Sequence, residues 1–391
     1  MHILLLTTYP VAVPRHGGQI RAAEIARFYR QQGHSVQVAG VLGSATYASA
    51  PGFVPFPDEK QLNQWADPLF LMEDVAIGEH FLKNDDAFAA LSRVIQPVPD
   101  VIHVEQPWLM GFAQRFIQQT HASAPLIYGS QNIEAPLKAA IVKTYYGQQI
   151  AENQAQQVRA MENAAIEMAD SVSCVSEEDA LYTRQRTSKP VVVAPNGVTE
   201  CHADKAAFAA AAKMSQGRQY ALYCASAHPP NIHGFFDWLG GSNGALDHDQ
   251  RIIVAGSAGQ AIQDDDRFHQ SPGLPAVFIQ AGLVDDSTLA GLIAGAHAMI
   301  LPISAGGGTN LKTAEALYSG QHVLASPKAM RGFEPFENDA GVVIAESAGQ
   351  FKRQLRHMMA QPPLQLDATA RQSRQSLRWS HCLQPLGDLI S

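Results

Sequence analysis

Twelve short runs of apolar and β-branched residues recur along the chain, and they leave it few architectures to adopt. The first six are ILLLTT (3–8), SVQVAG (35–40), VIHVE (101–105), PLIYG (125–129), SVSCV (171–175) and PVVVA (190–194). The second six are YALYCA (220–225), RIIVA (251–255), AVFIQ (276–280), HAMIL (297–301), QHVLA (321–325) and GVVIA (341–345). They are nearly continuous in apolar character instead of alternating, the pattern of strands buried on both faces of a parallel sheet. Helical periodicity lies between them: within 19–32, Ala22, Ile25, Ala26 and Tyr29 repeat at helical spacing and share one face. Residues 151–169, 285–296 and 309–319 read the same way. Strand–helix alternation implies right-handed βαβ crossovers, so the expected fold class is α/β with Rossmann-like, doubly wound parallel sheets.

Six runs stand on each side of Pro195-Asn196-Gly197, a turn tripeptide followed by polar, Ala-rich chain to about Arg218. That break predicts two sheets, and the 391-residue length agrees, since single domains run to roughly 100–200 residues. The expected domains are residues 1–196 and 197–375, with a hinge at 195–218 and a C-terminal helix over about 376–391 joining the first domain. Residues 43–95, with Pro51, Pro55, Pro57 and Pro68, are less regular and are expected to add helices and loops. Ligands of open α/β sheets bind at the carboxyl ends of the strands, so a cleft between the domains is the expected site.

Composition narrows the function. Charged residues are 16% of the chain, and 28 Lys+Arg against 36 Asp+Glu give a net charge of −8 with no basic block. A nucleic-acid partner is not expected, because phosphate neutralisation needs clustered cations. Cys174, Cys201, Cys224 and Cys382 are widely spaced and form no CxxC pair, which fits a reducing compartment. The start, MHILLLTTYP, has no basic lead and a short apolar run, unlike a signal peptide. The stretches without formal charge, roughly 31–57 and 287–311, are broken by Gly and Pro and are not expected to span a membrane. The expected location is cytoplasmic, with peripheral membrane contact at most.

Two glycine-rich segments carry the candidate chemistry. Arg15-His16-Gly17-Gly18 sits between the first strand and the first helix, where free N–H groups attract an anion. An ordinary flexible turn is the alternative reading. The chain has neither GxGxxG nor a P-loop, so those phosphate-binding fingerprints do not apply. The second segment, PISAGGGTNLKTAE (302–315), runs from a buried strand through Gly306-Gly307-Gly308 into a helix expected to start near Thr309. Three consecutive glycines cost conformational entropy, which a ligand needing close backbone approach explains. Lys312 falls in the first helical turn, where a cation opposes the macrodipole unless an anion binds there. Glu315 follows three residues on, placed to accept hydroxyl hydrogen bonds. The alternative is a surface Lys312–Glu315 pair worth about 0.2–0.5 kcal/mol, which explains neither the glycines nor the placement.

HGG (16–18), DVIHVEQPW (100–108), YGSQNIEA (128–135), ADSVSCVSEED (169–179), APNGV (194–198), PPN (229–231) and GGGTNLKTAEALYSGQHVLAS (306–326) occur in this order. In them the chain resembles glycosyltransferase family 4 over almost its full length, and 306–326 is the most specific block. The resemblance implies the GT-B fold, retaining glycosyl transfer and a nucleotide diphosphate-sugar as co-substrate, with no other cofactor and no metal. It implies that Gly17 and Gly18 contact the donor diphosphate and that Glu315, the second glutamate of an E-x7-E motif, holds the ribose hydroxyls. Gly307, Gly308, Thr309 and Asn310, with Lys312, would face the phosphates. Gln131, Asn132 and Glu134 would lie near the transferred sugar and acceptor, where His16 is a further candidate. Ser226, with His228 and Asn231, occupies the region of the family's usual basic pair.

The chain departs from the family pattern where Gly307 takes the place of the first motif glutamate and where Gln131 stands for a frequent His. Glutamine hydrogen-bonds but does not titrate. In a front-face mechanism the leaving phosphate oxygen accepts the acceptor's proton, so the expected catalytic set is Gln131, Lys312 and Glu315, acting by stabilising the leaving diphosphate. The acceptor is expected to be a glycan, a lipid-linked sugar or a small molecule. The alternatives are a lapsed nucleotide-sugar binding or scaffold protein and a GT-B nucleotide-sugar 2-epimerase. Asp264-Asp265-Asp266 reads as a solvated turn and Asp285-Asp286 as a helix cap, not as metal sites.

Overall fold

The protein is described by a computed structural model over residues 1–241 and 246–390. The chain divides into two compact units. One comprises Met1–Pro195, Gly307–Thr309 and the chain from Cys382 onward; the other comprises Asn196–Gly306 and Asn310–His381.

The first unit holds a seven-stranded parallel sheet of β1 (His2–Thr7), β2 (Ser35–Val41), β3 (Phe53–Val54), β4 (Val101–Glu105), β5 (Leu126–Ser130), β6 (Ser171–Cys174) and β7 (Val191–Val193). Its order is β3-β2-β1-β4-β5-β6-β7. Leu5 of β1 lies opposite Val38 on one side and His103 on the other. The second unit holds six parallel strands, β8 (Gln219–Cys224), β9 (Gln250–Ala255), β10 (Phe278–Gly282), β11 (Ala298–Leu301), β12 (His322–Ala325) and β13 (Val342–Ile344). Their order is β10-β9-β8-β11-β12-β13.

Both sheets have the α/β, doubly wound form expected, and the reason the runs lack alternation is visible in the second. Ala221 and Tyr223 of β8 pack with Phe235, Phe351 and Leu355 in one cluster. Their neighbours Tyr220 and Leu222 pack with Leu292, Leu317 and Ala314 in another. Successive side chains of a strand point to opposite faces, so a strand covered on both sides must be apolar at every position.

In each unit the chain builds outward from a central strand to one edge, then crosses back to the other side. The reversal falls between β1 and β4 in the first sheet and between β8 and β11 in the second. Outside the carboxyl ends of such a pair, loops part in opposite directions and leave room for a ligand.

Several boundaries differ from those read in the sequence. The two-residue β3 was not expected; it is too short to show as a run and sits between Gly52 (φ +81°) and Pro55. The first helix is Gly17–Gln31, so Gly17 and Gly18 open it instead of preceding it. The helix after the triple glycine begins at Leu311, because Asn310 caps it by accepting from the Lys312 N–H at 3.1 Å. The Ala-rich stretch assigned to the hinge contains the helix Lys205–Met214, which lies close enough to Asp286–Gly295 that a Cβ at Gly291 would sit 2.1 Å from Ala207 O. In place of one terminal helix there are short turns, Gln375–Leu377, Trp379–Cys382 and Gln384–Gly387; Pro385, with no N–H to donate, stands at the start of the last. Asp265, read as part of a solvated turn, caps the short helix Asp266–His269 and pairs with Arg267 at 2.7 Å. Asp285 caps Asp286–Gly295 as expected, accepting from Thr288 N–H at 2.7 Å. Among the described residues no helix is long and apolar enough to cross a membrane.

Candidate functional site

The second unit places its charged residues at the β8–β11 reversal. Lys312 lies in the first turn of helix Leu311–Tyr318, which follows β11, and Asn231 in the first turn of Pro229–Leu239, which follows β8. Lys312 Nζ donates to Asn231 Oδ1 at 3.1 Å. Asn231 is buried and in turn donates to the Ser226 carbonyl at 2.9 Å and to Ser226 Oγ at 3.3 Å. Ser226, Asn231 and Lys312 therefore form one chain across two helix starts, both carrying the positive end of a helix dipole. Gly306 (φ +134°) and Gly308 (φ +56°) hold backbone conformations that favour glycine, which accounts for two of the three residues in that loop. Gly307, Thr309 and Asn310 complete the turn into the helix.

Among the described residues no ion pair joins Lys312 to Glu315; the ammonium bonds to Asn231 instead. Glu315 lies one turn deeper, half-buried, and its carboxylate accepts no hydrogen bond from any described residue. Burial pushes its carboxyl up, partly offset by Lys312. Burial pushes Lys312 down, with Glu315 opposing. Cys224, at the end of β8, is raised by burial and by the Glu315 charge. An anion or a set of hydroxyls bound here would relieve both penalties, and unsatisfied charge of this kind is characteristic of functional sites.

The first unit gathers polar groups at the β1–β4 reversal. His16 caps the helix Gly17–Gln31 without a side-chain hydrogen bond, so the Gly17 and Gly18 N–H groups have no acceptor among the described residues. Its ring instead bonds Tyr47 Oη at 2.9 Å and stands edge-on to Tyr9 at 5.2 Å. Gln131, just past β5, donates to Tyr9 Oη at 2.7 Å and to Glu105 Oε2 at 2.5 Å. Glu105 ends β4 in complete burial, with Arg21 Nε at 3.5 Å and His103 Nε2 at 3.1 Å. Burial alone would raise its carboxyl, but Arg21, His103 and Gln131 outweigh it and hold the group below its usual value. His103 is fully buried; its Nδ1 bonds Tyr29 Oη at 2.8 Å, while its Nε2 faces Glu105 Oε1 without a hydrogen bond.

Asn132 and Glu134 meet each other, Asn132 Nδ2 donating to Glu134 Oε1 at 3.2 Å. Glu134 opens the helix Glu134–Tyr146, and the Glu162 carboxylate accepts from the Glu134 and Ala135 N–H groups at 2.5 and 3.0 Å. Burial pushes the Glu134 carboxyl up to about 7, against the pull of Lys138 and Asn132. This is an acid poised to change charge near neutrality.

The structure thus groups His16, Gly17, Gly18, Gln131, Asn132 and Glu134 in the first unit, and Ser226, Asn310, Lys312 and Glu315 in the second. Sequence reasoning assigned no role to Tyr9 or Glu105. A carboxylate closing an otherwise apolar strand run, as in VIHVE, was the available signal for Glu105.

Residues 16–197 match the family of the glycosyl transferase 4-like domain. No curated protein matches the sequence. Among solved structures, a sucrose-phosphate synthase from Thermosynechococcus elongatus superposes with a TM-score of 0.72 at 16% identity, covering 100% of this chain and 98% of that one. The Anabaena protein HepE, in complex with UDP and glucose, gives 0.67 at 13% identity, with 100% and 99% covered. The lipopolysaccharide outer core galactosyltransferase WaaB gives 0.61 at 11%, with 100% and 99% covered. These likenesses establish the GT-B fold of the whole chain.

Proposed function

A glycosyl transferase 4-like domain occupies residues 16–197 of a chain with the GT-B fold, and from that premise we propose retaining sugar transfer from a nucleotide diphosphate-sugar to a hydroxyl acceptor. The observation that carries the reading is the β8–β11 reversal. There a half-buried ammonium bonds across two helix starts, and a carboxylate without a hydrogen bond stands one turn along the same helix. That is the polarity of a nucleoside diphosphate: an anionic diphosphate beside Lys312 and the helix N–H groups, and ribose hydroxyls donating to Glu315.

In this mechanism Lys312 and the amides of 307–310 stabilise the charge that builds on the leaving diphosphate, with no metal required. Asn231 and Ser226 hold the Lys312 ammonium in place. The leaving phosphate oxygen takes the acceptor's proton, consistent with a Gln131 that cannot act as a base. Gly17 and Gly18 offer their N–H groups to the donor diphosphate, and His16, Gln131, Asn132 and Glu134 form the sugar and acceptor side, Glu134 contributing a group that ionises near pH 7. The solved relatives HepE, in complex with UDP and glucose, and WaaB, a galactosyltransferase, support a hexose donor and a glycan or lipid-linked acceptor. The widely spaced cysteines support a cytoplasmic setting.

The test is product stereochemistry. Incubation with UDP-glucose, UDP-galactose and GDP-mannose in EDTA, followed at early times by NMR of the anomeric proton, should show slow transfer of the sugar to water, releasing the nucleoside diphosphate, with the donor's configuration kept. An inverted product would overturn the mechanism. Binding without turnover of any donor would favour a nucleotide-sugar binding protein.

A further inference from the structure

Consecutive glycines let the chain bend, but they do not decide which way its peptide groups point. A peptide inverts by turning ψ of one residue against φ of the next, a motion that Cβ atoms normally restrict. Between Gly306 and Gly307 neither side carries a Cβ, so that restriction is missing. The orientation matters at an anion site, where an N–H attracts the ligand and a carbonyl repels it. Something outside the glycines must therefore choose it.

The segment after β12 is built to do so. It is tied to the chain on both flanks of the glycine loop. Ser326 Oγ, fully buried, donates to the Ile303 carbonyl at 2.6 Å, before the loop. Thr313 Oγ1, in the helix after the loop, donates to the Ala329 carbonyl at 2.7 Å. Ala329 and Met330 are buried in the short turn Pro327–Met330, so the chain leading to Arg331 is fixed. Arg331 Nη1 then donates to the Gly306 carbonyl at 2.7 Å. A guanidinium only donates, so this bond exists in one orientation of the peptide and not in the other. The Gly306–Gly307 peptide is trans, which sets its C=O and its N–H on opposite sides. With the carbonyl drawn to Arg331, the Gly307 N–H points away from it, and no described residue accepts from that N–H.

We propose that Arg331 is a positioning residue for the donor, holding the Gly306–Gly307 peptide so that an N–H and not a carbonyl is offered to the diphosphate. Arg331 acts through the Gly307 N–H, its Nη1 being engaged by the Gly306 carbonyl. The clamp stands on that bond alone; the ligand it serves rests on the function proposed above.

The experiment uses protein labelled with glycine carrying 13C at the carbonyl and 15N at the amide. A carbonyl–nitrogen correlation then arises only from consecutive glycines and reports on Gly306–Gly307 directly. Without ligand the wild type should give one sharp signal with a hydrogen-bonded carbonyl shift, and its Gly307 amide proton should exchange quickly until UDP protects it. Arg331→Met keeps the apolar stem and removes the donor. It should move the carbonyl shift upfield and broaden or split the signal, as both orientations become populated. Its affinity for UDP should fall about tenfold, the lower end for a charge-assisted hydrogen bond, while uridine, which has no phosphate, binds as before. Arg331→Lys restores a cationic donor and should recover part of both changes. A carbonyl signal unchanged in Arg331→Met overturns the clamp. Equal losses for UDP and uridine, or no loss of UDP affinity, overturn its role in binding. If Arg331→Met does not fold, the wild type still decides, because a Gly307 amide already protected without ligand overturns the proposal. A wild type that binds no nucleoside diphosphate, with the carbonyl signal still moving in the variant, removes the donor reading and leaves the clamp.

Discussion

Replacing Glu134 by Gln should stabilise the protein in a pH-dependent way. The residue is 4% exposed, and burial raises its carboxyl from 4.5 to about 7. An acid whose folded pKa is raised is bound to its proton more tightly in the folded chain than in the unfolded one. The penalty is therefore absent below pH 4.5, grows as pH rises through the window between 4.5 and 7, and is complete above it. Each pH unit of separation is worth about 1.4 kcal/mol, so the full penalty is about 3 kcal/mol. Glutamine keeps the shape and can still accept from Asn132 Nδ2 without ever ionising. Urea unfolding of both proteins at pH 5 and pH 8 should show Glu134→Gln ahead by less than about 1 kcal/mol at the lower pH and by about 3 at the higher. Every other titrating group is common to the two chains and cancels in the difference. An equal difference at both pH values, or a variant less stable at pH 8, would refute the claim that Glu134 is held ionised at a cost to the fold.

Glu315→Gln removes an unpartnered carboxylate that burial disfavours. It should leave melting unchanged or higher while weakening nucleoside diphosphate binding; a drop in melting temperature would make Glu315 structural. Gly234→Ala should destabilise the second unit by about 1–3 kcal/mol, because its Cβ would fall 2.3 Å from Pro302 O; unaltered denaturant midpoints would contradict that packing. Arg374, fully buried, donates to the Leu317 and Ala340 carbonyls at 2.7 and 2.8 Å and lies 3.4 Å from Asp339. Arg374→Met should therefore cost about 3–5 kcal/mol, read by calorimetry, and a loss under about 1 kcal/mol would show those groups satisfied by solvent.

The twelve runs marked twelve of the thirteen strands among the described residues, because two-sided burial leaves an unbroken apolar signature, which the two-residue β3 is too short to carry. Lys312 and Glu315 were legible because their relation is local, three positions along one helix. The Tyr9–Gln131–Glu105 arrangement was not. Gln131 lies 122 residues from Tyr9 and 26 from Glu105, and only the strand order brings the ends of β1, β4 and β5 together. Asn231 was placed in the region of the family's basic pair, but its bond to Lys312 escaped for the same reason, spanning 81 residues through the β8–β11 pairing. The helix start at Gly17 shows tertiary context overriding propensity. Two glycines are poor helix formers by about 1 kcal/mol each, yet at Gly18 the tyrosine and glutamine leave no room for a side chain.

The central claim is that the second unit binds a nucleoside diphosphate through Lys312. Thermal shift of the wild type and Lys312→Met against UDP, GDP, ADP and TDP, in EDTA and then in magnesium, tests it most directly. One nucleoside diphosphate should raise the wild-type stability by about 2.7 kcal/mol at a hundredfold excess over its Kd, whether or not magnesium is present. The variant should lose most of that rise, since a charge-assisted hydrogen bond is worth about 1.5–3 kcal/mol. A shift of equal size in Lys312→Met, or none with any nucleotide, would contradict the account.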